Sequence, residues 1–161
     1  MTPQDRARRS ADAMWAGDHA SQSTGMAITN IGPGQATMTI RPDISNGHGA
    51  AHGGFLFTLA DSAFAFACNS YNNNVVGQHT SMTYLSPGRV GEVITATATE
   101  TSRAGQPDVF DVTLSGEDGR QIALFRDHSR QISGHHFDED TAAKTWTQLK
   151  SRPVMKSPPF S

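Results

Sequence analysis

A single carboxylate interrupts the longest apolar run of this chain: Asp61 lies inside GGFLFTLADSAFAFAC, residues 53–68. An ionised carboxylate within an apolar helix costs several kcal/mol unless a partner or a wet cleft compensates it. At helical spacing its neighbours are Phe57, Thr58, Phe64, Ala65 and Cys68, so its own face supplies hydrophobic walls and no cation. Asp61 is therefore either an edge position facing solvent or a distant arginine, or a catalytic carboxylate in an apolar cleft, where desolvation raises its pKa. Directly ahead of this run lies NGHGAAHGGF, which begins at Asn46. Unpaired N–H groups at a helix N-terminus, together with the helix dipole, bind an anion or stabilise a developing oxyanion, and glycine lets a substrate approach that backbone closely. The same glycines also serve simply to turn the chain.

Other chemistries fit less well. His48 and His52 are four residues apart in a glycine loop that does not fix one face, and no third ligand follows nearby, so no metal is expected. His19, His79, His128, His135 and His136 read as surface or hydrogen-bonded structural residues. Cys68, inside the apolar run, reads as a packed core thiol and not a nucleophile. No Gly-Xaa-Ser-Xaa-Gly string exists for a serine hydrolase. Gly47, Gly49 and Gly53 resemble a variant dinucleotide fingerprint, but Asp61 follows Gly47 by only fourteen positions, and no parallel βαβ unit surrounds them.

These residues must be positioned by a helix over 53–68, because Ala, Leu and Phe recur at helical period on most of its faces. The glycine loop starts it, and the polar cluster Asn69, Ser70, Tyr71, Asn72, Asn73 and Asn74 ends it. Elsewhere the period changes to two. Ala36, Met38 and Ile40 alternate with Thr37, Thr39 and Arg41, and Ile94, Ala96 and Ala98 with Thr95, Thr97 and Thr99. Phe110, Val112 and Leu114 continue the pattern, and a hairpin at 116–119 leads into a strand over 121–132. A second hairpin is expected at Ala104 and Gly105, and a further strand over 78–86 ahead of the Pro87–Gly88 turn. Strands joined by short turns predict an α+β fold in which an antiparallel meander packs on one long helix. An amphipathic helix over 5–15 places Ala7, Ala11, Met14 and Trp15 on one face, with Arg6, Arg8 and Arg9 solvated.

At 161 residues and 17.3 kDa the chain makes one domain, expected over 1–133 and followed by a polar, proline-containing tail over 134–161. Thirteen Lys and Arg against fifteen Asp and Glu leave a charge of −2, which gives no positive field for nucleic acid. The apolar run is too short to span a membrane and is broken by Asp61. One cysteine allows no internal disulfide, and no apolar stretch follows the N-terminal arginines as in a secretory signal, so a cytoplasmic location is expected.

The strings MWAGDHASQSTGM, NGHGAAHGGFLFTLADSAFAFACNS and TYLSPGRVGE together resemble the PaaI branch of the hotdog-fold acyl-CoA thioesterases, those of phenylacetate degradation. The likeness runs from about residue 8 to 133 and rests on both the NGHG lead-in and the HGG-to-Asp spacing. It implies a hotdog fold, an antiparallel sheet wrapped around a long central helix, with protomers paired into homodimers and further into homotetramers. The implied reaction is hydrolysis of an acyl-CoA thioester without metal or other cofactor. Carried over by position, the catalytic carboxylate falls on Asp61, the oxyanion-stabilising N–H on Gly53, the loop histidine on His52 and the loop asparagine on Asn46, which would orient water or the leaving thiolate. Gly54 is placed against the substrate; Phe57 and Phe64, on the face of Asp61, are either ordinary core or the walls for an aromatic acyl group, and Arg89 is either a solvated loop arginine or a contact to a CoA phosphate. Many relatives carry a Ser or Thr near the start of the strand after the helix to position water. The counterpart here is Gly77, Gln78, His79 and Thr80, with no assigned residue. An acyl-CoA hydro-lyase on the same fold and a non-catalytic acyl-CoA-binding module are the alternatives. Helix geometry adds that Gly53 and Asp61, about 12 Å apart along one axis, act on one carbonyl most simply when they come from two chains.

Overall fold

The computed structural model describes residues 1–41, 43, 45–103 and 108–139. The hairpin expected at Ala104 and Gly105 and the part of the tail over 140–161 lie outside the described residues.

The N-terminal helix α1 (Pro3–Trp15) begins with a capping box, in which the Thr2 hydroxyl accepts from the Asp5 N–H and the Asp5 carboxylate accepts from the Thr2 N–H. Its expected face is the one that packs: Ala7 and Ala11 are buried, and Met14 and Trp15 lie against the core. A short helix α2 (His19–Ser23) and the hairpin of β1 (Ala27–Gly32) and β2 (Gln35–Ile40) come next in the chain. The period-two pattern does not reveal β1, because its register shifts between Ile28 and Asn30 and the alternation is lost. Gly34 makes the hairpin turn at φ +65°, and a β-carbon there would lie 2.7 Å from both the Tyr71 hydroxyl and the Glu100 carboxylate.

The central helix α3 (Gly53–Cys68) spans the predicted residues and buries Leu56, Leu59, Ala60, Ala63, Phe64, Phe66, Ala67 and Cys68. Then come β3 (Val75–Tyr84), β4 (Ile94–Ser102), β5 (Asp108–Ser115) and β6 (Gln121–Gln131). All pairings are antiparallel, in the order β1-β2-β4-β5-β6-β3, and α3 packs along this sheet. Met38, Ile94, Ala96, Ala98, Phe110, Val112, Leu114 and Phe125 close the core against α3, while the threonines between them face outward or stay half-buried. Of the predicted meander only β4 to β6 holds. β3 crosses to the far edge beyond β6, because the Pro87–Gly88 turn is not a tight hairpin. That connection docks on the loop ahead of α3, where the Gly88 carbonyl accepts from the Ala51 N–H at 2.8 Å and Arg89 bridges to Ala50. Residues 134–139 lie against the end of α3: Asn72 holds the Phe137 carbonyl, and Arg6 pairs with Glu139 at 2.6 Å. Among the described residues no helix is long and apolar enough to cross a membrane.

Candidate active site

The loop before α3 is built by Asn46. Its side-chain oxygen accepts from the His48 N–H at 2.9 Å and the Ala50 N–H at 3.2 Å, and Gly49 completes the turn at φ +74°. His52 then caps α3, with its Nδ1 accepting from the Gly54 N–H at 3.0 Å. The roles expected of His52 and Gly54 separate here. His52 fastens the loop to the helix, whereas the Gly54 N–H is committed to that cap and can offer a substrate only close approach to its backbone. Among the described residues nothing accepts from the Gly53 N–H, which stands at the positive end of the helix dipole.

Gly53 opens on a cleft of about 370 Å³ lined by Asn46, Ala51, Leu56, Tyr84 and the 85–88 segment. Tyr84, given no role from sequence, donates its hydroxyl to the Gly53 carbonyl at 2.9 Å, and a β-carbon at position 53 would meet its ring at 3.3 Å. A side chain at 53 would therefore have to displace the Tyr84 ring by a few tenths of an ångström. Arg89 lies on the segment that runs on from this cleft; its side chain is 64% exposed and pairs with Asp118 at 3.2 Å.

Asp61 lies two turns further along α3, half-buried on the stripe of Gly54, Thr58 and Ala65 that the sheet leaves uncovered. No hydrogen bond or ion pair among the described residues reaches its carboxylate. Burial, and secondarily the negative charge of Asp18, push its pKa above the ordinary carboxylate value. The two flanking rings part company. Phe57 is 36% exposed, its ring edge-on to Phe125 at 5.5 Å, while Phe64 is 2% exposed and packs on Phe110 at 5.6 Å. Position 64 rotates toward the sheet, so Phe64 fills the interior, and Phe57 is the ring a substrate can touch.

The strand segment left without an assigned water-positioning residue sits at the sheet edge. Gly77, Gln78 and His79 are exposed and Thr80 is half-buried. Behind it stands Asp127, which no sequence signal assigned to the site. Asp127 is 0% exposed, and burial together with the charge of Asp61 pushes it up to about 7. Its one trace in the sequence is a charge on the inward row of β6, between Phe125 and Ser129. Cys68 is buried and its thiol pKa is pushed up by desolvation, as a packed core thiol requires. Among the described residues no three His, Cys, Asp or Glu side chains are grouped as a metal would need.

Known proteins share this fold. The family model described as the thioesterase superfamily matches residues 48–123, which contain most of the loop, all of α3 and the strands β3 to β5. The acyl-coenzyme A thioesterase PaaI of Escherichia coli K12 is 37% identical over 131 residues, covering 80% of this chain and 94% of that protein. The solved structure of the E. coli PaaI protein from the phenylacetic acid degradation operon superposes with a TM-score of 0.81 at 34% identity, over 83% of this chain and 99% of that one. A hypothetical thioesterase from Streptococcus pneumoniae TIGR4, solved with coenzyme A, gives a TM-score of 0.63 at 26% identity, over 68% and 87% of the two chains.

Proposed function

The chain belongs to the PaaI-type hotdog-fold acyl-CoA thioesterases of the thioesterase superfamily, and from that premise we propose that it hydrolyses aryl-acyl-CoA thioesters, phenylacetyl-CoA or its hydroxylated forms, to the free acid and CoA. The observation that carries this reading is the presence, on one helix, of an N–H at Gly53 and a half-buried carboxylate at Asp61 that are both without a partner among the described residues. The Gly53 N–H polarises the thioester carbonyl and holds the oxyanion as it forms, aided by the helix dipole. Ionised Asp61 activates water as general base or attacks the carbonyl carbon directly. Asn46 has its side-chain oxygen committed to the loop, which leaves its amide N–H₂ to meet water or the leaving thiolate. Arg89 reaches a CoA phosphate by exchanging its exposed partner Asp118, a trade of one ion pair for a charge-assisted bond.

The active site forms between two protomers. Asp61 lies outside the cleft beside Gly53, and about 12 Å of helix separates the two positions. The means of pairing is β3, an edge strand of ten residues with exposed positions along most of its length, which is a template for a second copy. Dimers associate further into tetramers. A cytoplasmic site of action suits the buried free thiol of Cys68 and the CoA-linked substrate. The hydro-lyase alternative needs a His and an acid on one substrate carbon, and His52 beside the cleft is tied to the Gly54 N–H.

The test is to incubate the protein with a panel of acyl-CoAs and follow free thiol. Thiol release with a kcat/KM at least tenfold higher for phenylacetyl-CoA than for a medium straight-chain acyl-CoA is the expected outcome. A tenfold preference for the straight chain overturns the aryl assignment. Water addition without thiol marks the hydro-lyase, and binding without turnover marks the binding module.

A further inference from the structure

The 85–88 wall of the Gly53 cleft belongs to an irregular segment that joins β3 to β4. Such a segment keeps its place through side chains and packing, and the β5–β6 turn supplies both. Leu85 and Ser86 donate their N–H groups to the Ile122 carbonyl at 2.8 and 3.2 Å. Beyond them the Arg120 guanidinium takes over: its Nη2 donates to the Pro87 carbonyl at 3.3 Å and to the Glu92 carboxylate at 2.7 Å, and its Nη1 donates to Asp118 at 2.7 Å. Glu92 in turn accepts from the Arg89 N–H at 2.9 Å. One ion pair therefore ties both ends of the 87–92 turn. It is also an inner one, with the side chains of Arg120 and Glu92 22% and 7% exposed. Gly116 makes room for it, since a β-carbon there would lie 3.0 Å from Arg120 Nη2 and 3.2 Å from Glu92 Oε2. A pair buried to this extent adds little net stability over apolar packing, so its effect lies in the geometry that it fixes.

What the turn bears on is the loop before α3. The Gly88 carbonyl accepts from the Ala51 N–H at 2.8 Å, and Arg89 bridges to Ala50. The contact is tight: a β-carbon at Gly88 would stand 3.0 Å from the Ala51 side chain and 2.8 Å from Ile94. Gly53 follows Ala51 by two positions and lines the same cleft as Pro87 and Gly88. We propose that Arg120 is a positioning residue for thioester hydrolysis: with Glu92 it clamps the 87–92 turn against the loop and so sets where the Gly53 N–H points. The inference rests on the thioesterase reading. An oxyanion donor works only at about 2.7 to 3.1 Å from the oxygen it stabilises, and a shift of about 1 Å costs on the order of a hundredfold in rate. Arg120 touches no reacting atom and acts through Pro87, Glu92 and Ala51 alone. Its Asp118 partner is shared with Arg89, at 2.7 and 3.2 Å respectively, so an effect on the loop has to be told apart from an effect on CoA phosphates.

The experiment compares wild type, Arg120→Met, Arg120→Lys, Glu92→Gln and the Arg120→Met/Glu92→Gln double variant by thiol release, well below the melting temperature of each. Two substrates are used: the acyl-CoA that wild type cleaves fastest, and the matching acyl-pantetheine, which lacks the CoA phosphates. Arg120→Met should lower kcat at least tenfold on both, with KM for the pantetheine thioester changed less than threefold. Arg120→Lys keeps the charge but not the fork that reaches three acceptors, and its kcat should fall between Arg120→Met and wild type. The double variant should be within about twofold of Arg120→Met, because both changes act through one clamp. Amide hydrogen exchange reads the loop directly: the Ala51 N–H should exchange at least tenfold faster in Arg120→Met than in wild type, while the amides of the β4–β5 ladder keep their rates. A role in stability alone would lower Tm and leave kcat and the Ala51 rate of the folded protein unmoved. Where Arg120→Met does not fold, Glu92→Gln carries the comparison, expected at least threefold below wild type in kcat on both substrates. Wild type that releases thiol while the variants stay within twofold of it in kcat, or lose kcat with Ala51 exchange unchanged, overturns this inference alone. A loss confined to a raised KM for the acyl-CoA makes Arg120 a phosphate contact and overturns it as well. Wild type that releases no thiol from any acyl-CoA overturns the thioesterase reading and this inference with it.

Discussion

A carboxylate used as base or nucleophile has to be ionised and poorly solvated together, and Asp61 is placed for both: half-buried, without a cation among the described residues, and open on the uncovered stripe of α3. Replacing it with asparagine keeps the shape and removes the charge. Asp61→Asn is expected to fold normally and to lose on the order of a thousandfold in kcat, measured by thiol release. A variant within threefold of wild type would remove Asp61 from the chemistry. Because the ionised form is the active one and its pKa lies above the ordinary 3.8, the acid limb of the rate profile should fall off above pH 4. A rate that stays flat down to pH 4 would show that burial leaves Asp61 unperturbed. Asp61 and the loop glycines were legible in the sequence because each violates a local pattern: a charge in an apolar run, and glycines crowded before a helix. Tyr84 was not, because it matters through Gly53, on another element of the fold, and no periodicity links the two positions.

Among the elements, α3 is held at both ends by side chains that sequence marked only as punctuation. His52 caps its start. At its end Asn69, 2% exposed, gives its amide to the Ala65 and Val75 carbonyls at 2.9 Å each, accepts from the Val75 N–H at 2.8 Å, and meets His136 Nε2 at 2.7 Å. One side chain thus fixes the helix end to the strand beside the site and to the segment after β6. Asn69→Ala strands these buried groups and should lower unfolding free energy by about 2 to 4 kcal/mol, read from the midpoint shift in urea. A loss under about 0.5 kcal/mol would mean that water replaces the amide at no cost. The helix and strands β4 to β6 were readable because they are long and strictly periodic. β1 was hidden by its bulge, and the edge position of β3 by a Pro-Gly pair that looks like a hairpin turn yet docks on the loop before α3.

For the molecule as a whole, the proposed chemistry requires that one chain hold two half-sites, its Gly53 and Asn46 serving the Asp61 of a partner. The spacing along a single helix made this legible from sequence, since about 1.5 Å of rise per residue does not depend on tertiary detail. The fold adds where the partner would sit, because β3 ends the sheet with an open edge next to the strand that carries Asp127. Complementation tests the shared site. Asp61→Ala and Asn46→Ala, each first shown to be nearly inactive alone, are unfolded together and co-refolded at equal concentrations. Random pairing makes about half of the dimers mixed, and each mixed dimer holds one doubly mutated site and one intact site. Thiol release should then return to about a quarter of wild-type activity, whereas a mixture that stays as inactive as its components, while native gels show mixed dimers, would contradict the shared site.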